Sequence, residues 1–116
     1  LQFARTLTSL THLAIYAPAS SLDDEQLTNL EPLTALTEFA LSNSTCSGAG
    51  LRHLSPTVTA LDLRANSFLE PSVLRTSLLR LPRLRFINLS GFRLLRTELQ
   101  AVVAELRMRG SVHCVL

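Results

Sequence analysis

At 116 residues the chain has room for one domain and not for two comfortable ones. Hydrophobic residues make up 47 %, aromatics only 5 %, and Trp is absent, so the composition excludes disorder and calls for an aliphatic core. The net charge is +2, with all 11 basic residues Arg, and no apolar run approaches the roughly 20 residues of a membrane span.

In chain order, the first patterned stretch is Leu10-Thr-His-Leu-Ala-Ile15. Ser21-Leu-Asp-Asp-Glu-Gln-Leu-Thr-Asn-Leu30 follows and reads as a helix. It opens on a capping serine, carries acids in the first turn where the helix dipole favours them, and sets Leu27 and Leu30 on one face. Leu36-Thr-Glu-Phe-Ala-Leu41 repeats the first pattern, and the lead-ins match as well: Leu7-Thr-Ser-Leu-Thr11 and Leu33-Thr-Ala-Leu-Thr37. Gly48-Ala-Gly-Leu-Arg-His-Leu54 leaves space for about two turns, which its glycines weaken and Pro56 closes. Val58-Thr-Ala-Leu-Asp-Leu-Arg-Ala-Asn66 is the cleanest copy. Ser72 to Leu81 predicts a second helix, with Pro71 at its start where a missing N–H does little harm. Leu84-Arg-Phe-Ile-Asn-Leu89 is the fourth copy. Thr97-Glu-Leu-Gln100 has the form of a capping box and leads into the stripe Leu99, Val102, Val103, Leu106. Arg109-Gly-Ser-Val-His-Cys114 is the fifth and weakest copy. The central apolar positions fall at Leu13, Phe39, Leu61, Ile87 and Val112, in steps of 26, 22, 26 and 25 residues. The chain is therefore a repeat of strand and return.

With these copies and the return segments Leu22-Asp-Asp-Glu-Gln-Leu27 and Gly48 to Leu54 in hand, the chain resembles the leucine-rich-repeat family, in its ribonuclease-inhibitor-like intracellular type. The resemblance implies an α/β fold over residues 1–116: a single right-handed horseshoe-shaped solenoid segment. About five short parallel strands would line its concave face, with helices or short turns on the convex face. The family's asparagine stands in place only at Asn66, while Pro18, Ser44 and Phe92 hold the equivalent positions, so irregular repeats are expected. The cysteine-rich caps of extracellular relatives are missing, which implies an intracellular, cytoplasmic protein. Units of this kind bury their apolar faces only by stacking. The chain opens on Leu1 and closes on an apolar strand, so the expectation is a segment of a longer solenoid whose ends other sequence or another chain covers.

Carried over residue by residue, the resemblance sets the outward strand positions in columns. One holds His12, Glu38, Ala60, Phe86 and Ser111; the next holds Ala14, Ala40, Asp62, Asn88 and His113; the third holds Tyr16, Ser42, Arg64, Ser90 and Val115. A partner-binding face is expected at His12, Tyr16, Glu38, Asp62, Arg64, Phe86, Asn88 and His113, with Phe86 and Tyr16 as aromatic anchors and Arg64 as a charged one. Asp62 and His113, two strands apart, would be roughly 9–10 Å from each other, too far for an orienting hydrogen bond. No Ser or Cys occupies a strained nucleophile turn. No catalytic residue, cofactor, metal ligand or small-molecule substrate is therefore expected. His12 reads as an exposed strand residue and His53 as a surface or capping one. Cys46 and Cys114 match no ligand spacing and read as free thiols. Cys114 stands in for a core leucine, and Cys46, in a Ser/Thr-rich loop, is the more reactive candidate.

Charge is unevenly spread. Residues 1–70 carry three Arg against seven carboxylates, net −4, and residues 71–116 carry eight Arg against two, net +6. The basic set is Arg75, Arg80, Arg83, Arg85, Arg93, Arg96, Arg107 and Arg109. Clustered Arg suits bidentate contact with carboxylate or phosphate, so an acidic protein surface or an RNA backbone is a candidate partner. The leading expectation is a non-enzymatic protein-binding scaffold within a multi-subunit assembly. The first alternative is a subunit of a ribonucleoprotein held by its arginines. The second is the substrate-recognition part of a ubiquitin-ligase adaptor, a role in which related solenoids serve.

Overall fold

Where apolar and polar residues alternate with period two, the chain forms strands: β1 (His12–Tyr16), β2 (Glu38–Ser42), β3 (Ala60–Asp62), β4 (Phe86–Asn88) and β5 (His113–Val115). A computed structural model describes residues 2–16, 22–91, 96–110 and 112–115. All five strands run parallel in one sheet, in the order of the sequence, which makes this a mixed α/β fold. A 3₁₀ helix at Gln2–Thr6 precedes β1. The returns are 3₁₀ helices at Glu25–Leu30 and Ala49–His53, then α1 (Pro71–Leu78) and α2 (Arg96–Arg109).

One face of the sheet holds the core. Phe39, Leu41, Leu61, Leu63, Ile87 and Leu89 are buried there, with Leu13, Ile15 and Cys114 packed against them. The returns add Leu27, Leu30, Leu51, Leu74, Leu78 and the whole expected stripe of α2, Leu99, Val102, Val103 and Leu106. Burial stabilises each such side chain by about 1.5–3 kcal/mol. No ring larger than Phe39 is used, as the composition requires.

The expected helix over 21–30 is shorter than its pattern suggests. It is a 3₁₀ helix of six residues. Thr28 Oγ1 and Asn29 Nδ2 donate back to the carbonyls of Glu25 and Gln26, and Pro32 follows closely. Ser21 lies outside the described residues, and Asp23 Oδ1 accepts the Gln26 N–H at 3.1 Å. Asp24 serves the next unit instead. Its Oδ1 accepts the Gly50 N–H at 2.7 Å, and its Oδ2 accepts the Ser47 N–H and hydroxyl, both at 2.8 Å. Partial burial pushes this carboxyl's pKa up, but the Ser47, Gly50 and Gly48 donors together hold it below the ordinary aspartate range. Gly50 is required by this approach, since a Cβ there would lie 2.7 Å from the Asp24 carbonyl and 2.8 Å from Leu27 Cδ1.

Two ladders hold the units in register. At the strand entries, the Thr11 carbonyl accepts the N–H groups of Thr37 and Glu38, the Thr37 carbonyl those of Thr59 and Ala60, and the Thr59 carbonyl those of Arg85 and Phe86. The Thr37 and Thr59 hydroxyls donate to the same carbonyls as their own N–H groups, at 3.1 and 3.2 Å. At the strand exits, Asn43, Ala65 and Gly91, each four residues beyond the central apolar position of its unit, all have positive φ, at 56°, 60° and 89°. Asn66 then closes its turn. Its Nδ2 donates to the Leu41 and Leu63 carbonyls at 2.7 and 2.8 Å, and its Oδ1 accepts the Ser44 N–H and hydroxyl at 3.0 and 2.7 Å. Ser44, in the asparagine's position one unit earlier, thus takes part in the ladder as the partner of Asn66. Pro18 and Phe92 lie outside the described residues.

The fifth unit corrects the expected columns. Ile87 pairs with Cys114, not Val112, so Phe86 faces His113 and Asn88 faces Val115. The row Asp62, Asn88, His113 does not form, and Ser111 lies outside the described residues. Val112 and Cys114 are both apolar and sit two residues apart, so either choice keeps the same face inward. In the register observed, the His113 N–H donates to the Arg85 carbonyl and the Leu89 N–H to the Val115 carbonyl, both at 2.7 Å.

Candidate functional site

The sheet face opposite the core carries an open depression of about 600 Å³. Its shape follows from side-chain size. Ala14, Ala40 and Ala60 form a shallow floor across β1, β2 and β3, while His12, Glu38, Asp62 and Phe86 stand around it. None of the three alanines stood out in the sequence, because small residues on an outward face carry no chemistry of their own.

One ion pair, one histidine–carboxylate contact and one ring pair organise the rim. His12 and Glu38, neighbours in the first column, meet at 3.1 Å between Nε2 and Oε2. Asp62 and Arg64, two residues apart on one strand face, form a bidentate pair, with Nε on Oδ1 and NH2 on Oδ2, both at 2.9 Å. Asp62 Oδ1 also accepts the Arg64 N–H, and Asn88 Oδ1 accepts the Ser90 N–H in the same way one strand on. Arg64 is therefore held by Asp62 rather than free in solvent. Phe86 and His113 stack at 5.7 Å between ring centroids and 24° between planes. Tyr16 stands well exposed at the end of β1. The structure thus brings together His12, Glu38, Asp62 and Phe86 around the depression, stacks His113 on Phe86, and leaves Tyr16, Arg64 and Asn88 around them.

The Thr11 hydroxyl lies 2.8 Å from His12 Nδ1, which completes a hydroxyl–imidazole–carboxylate chain with Glu38. His12 and Glu38 are more than half exposed, and the flanking N–H groups of Thr37 and Glu38 are engaged by the Thr11 carbonyl. The chain therefore has neither a dry surrounding nor those donors to stabilise an oxyanion. His53, half-buried, contacts Glu31 Oε1 through Nδ1 at 2.5 Å, away from the depression. Among the described residues, no group of three His, Cys, Asp or Glu side chains is placed to hold a metal ion.

The expectation that Cys46 is the reactive thiol is corrected. Cys46 is buried, and burial, with the charges of Asp24 and Asp23 adding to it against a hydrogen bond from Ser44, pushes its pKa to about 11. Cys114 is half-buried and raised as well, chiefly by burial.

The basic set divides. Arg75 makes a bidentate pair with Glu105, which raises the arginine's pKa and lowers the glutamate's through their hydrogen bonds. Arg80, Arg83, Arg85, Arg107 and Arg109 are exposed, and no carboxylate lies within ion-pair distance of them among the described residues. Arg93 and the side chain of Arg96 lie outside the described residues. Among those residues, no helix is long and apolar enough to cross a membrane. Compared with known proteins, the chain matches no family model, no curated protein and no solved structure.

Proposed function

We propose that the chain is a leucine-rich-repeat module of the ribonuclease-inhibitor-like type, which binds a protein partner within a larger intracellular assembly and performs no chemistry of its own. The observation that carries this is the alanine-floored depression, with a ring pair, the Asp62–Arg64 ion pair and the His12–Glu38 contact at its rim. Small floor residues admit a partner's side chains close to the backbone. Phe86 and His113 supply flat, rigid area at low entropic cost, as interface anchors do. The His12–Glu38 and Asp62–Arg64 pairs, exposed and of little worth to stability, fix orientation and register on the partner. Five in-register parallel strands and the repeated left-handed turns support the family reading, and the strand face becomes the concave side of the horseshoe.

The test is affinity capture from native extract at moderate and high salt, followed by mass spectrometry. A polypeptide retained in high salt is expected, lost with Phe86→Ala combined with Arg64→Ala and kept with Arg83→Ala combined with Arg85→Ala. Capture that survives the first pair of substitutions would exclude the open face as the contact surface.

A further inference from the structure

A second cleft, of about 580 Å³, lies between the approach to β4 and the end of α2, and shares no lining residue with the depression on the sheet. Arg83, Arg85 and Arg109 line it, over an apolar wall that includes Leu84, Leu106 and Val112. We propose that this cleft is a binding site for an acidic peptide segment whose carboxylates alternate with aliphatic side chains.

Three observations carry the proposal. First, three guanidinium groups of like charge open on one cleft, with no carboxylate in ion-pair distance among the described residues. Glu105, whose charge is felt by Arg109, is already held by both arms of Arg75. Arg109 NH1 donates to the neutral Leu78 carbonyl at 3.4 Å, which leaves its charge uncompensated. Like charges gathered without a counter-charge repel, and an anionic ligand removes that cost. Second, Arg85 replaces the threonine of the strand-entry ladder. Its backbone repeats the pattern of Thr37 and Thr59, with its N–H on the Thr59 carbonyl at 2.7 Å and its own carbonyl accepting the His113 N–H. The ladder is kept by the main chain alone, so the guanidinium has no structural duty there. Third, the rest of the lining selects among anions. Among the described residues the cleft is lined by aliphatic side chains and by no aromatic ring, since Phe86 belongs to the stack with His113. A nucleic-acid strand is held by phosphate contacts and by stacking of its bases on rings, and the second of these is missing. Free phosphate would leave the apolar wall unused. A peptide of alternating acidic and aliphatic residues satisfies both halves, with bidentate Arg–carboxylate bonds on one side and buried methyl groups on the other.

The test uses the full chain and a short fluorescein-labelled peptide of alternating glutamate and leucine, read by fluorescence polarisation. Binding is expected, weakened about tenfold by Arg83→Ala combined with Arg85→Ala, and unchanged by Phe86→Ala with Arg64→Ala. Replacing the peptide's leucines by serines is expected to weaken it several-fold. Because Arg83 and Arg85 are exposed, the variant should melt like the wild type, which circular dichroism checks. The proposal is overturned if the wild type does not bind the peptide or if the Arg83/Arg85 variant binds equally well. It is equally overturned if the serine peptide is as good, or if oligouridylate or inorganic phosphate displaces the probe as readily as unlabelled peptide does.

Discussion

Between β1 and β3 the two returns are 3₁₀ helices tied together by Asp24, whereas between β3 and β5 they are α-helices that dock chiefly through aliphatic side chains. The difference follows from how much apolar surface each return can offer. The 3₁₀ helix at Glu25–Leu30 buries Leu27 and Leu30, and the one at Ala49–His53 buries only Leu51 beside Gly50. Returns that short leave backbone donors to be satisfied by side chains from the neighbouring unit. The stripe of α2 buries four aliphatic residues, and the side-chain bonds between α1 and α2, Arg75 on Glu105 and Arg109 on the Leu78 carbonyl, add to that packing. Polar bonds are directional and, where the Asp24 carboxylate accepts them, pH-sensitive, while aliphatic contacts are neither, so the two halves should fail differently.

The largest expected loss is Asn66→Ala, at about 3–4 kcal/mol in urea unfolding, because it leaves the Leu41 and Leu63 carbonyls and the Ser44 donors without their buried partner. Leu106→Ala in α2 is expected to cost about 2–4 kcal/mol through lost burial and a residual cavity, with no change between pH 7 and pH 4. Asp24→Ala should cost about 2–3 kcal/mol at pH 7, since it strips the Ser47 and Gly50 N–H groups of their acceptor. Its pH dependence has a definite sign. The folded carboxyl has the lower pKa, so its contribution is fully present above the unfolded value of about 3.9 and fades as pH falls through the folded one. Wild type and Asp24→Asn should therefore converge in stability in acid, measured as urea midpoints from pH 6 downward. Gly50→Ala is expected to cost about 1–3 kcal/mol by overpacking against Asp24 and Leu27. Ala65→Gly is the smallest, a gain of no more than about 1 kcal/mol, as relief of the left-handed strain exceeds the added freedom of the unfolded chain.

The helical half was more legible than the polar one for the same reason that it is simpler. A stripe such as Leu99, Val102, Val103, Leu106 states its own face, because helical spacing decides which side is buried. The adjacency of His12 and Glu38 was legible too, since strands in register bring equal positions side by side. Asp24 was not: a carboxylate two residues before Gln26 reads as a local helix signal, and only the fold shows that its acceptor oxygens reach residues 47 and 50. Cys46 was misread because a Ser/Thr-rich loop looks exposed, whereas Ser44 and its neighbours are folded inward around Asn66. The last strand is displaced by two positions from its expected register because Val112 and Cys114 offer the core equivalent faces, so the side-chain pattern does not separate the two registers.

The claim that matters most is that the open face of the sheet is where a partner sits. Hydroxyl-radical footprinting of the chain, alone and in its captured complex, reads this directly, because exposed rings and thioethers report side-chain access. Protection of Tyr16, Phe86, His12 and His113, with Phe3, Phe68 and Met108 remaining reactive, is the expected result. Protection of Phe3, Phe68 or Met108 with the sheet residues left reactive would contradict it.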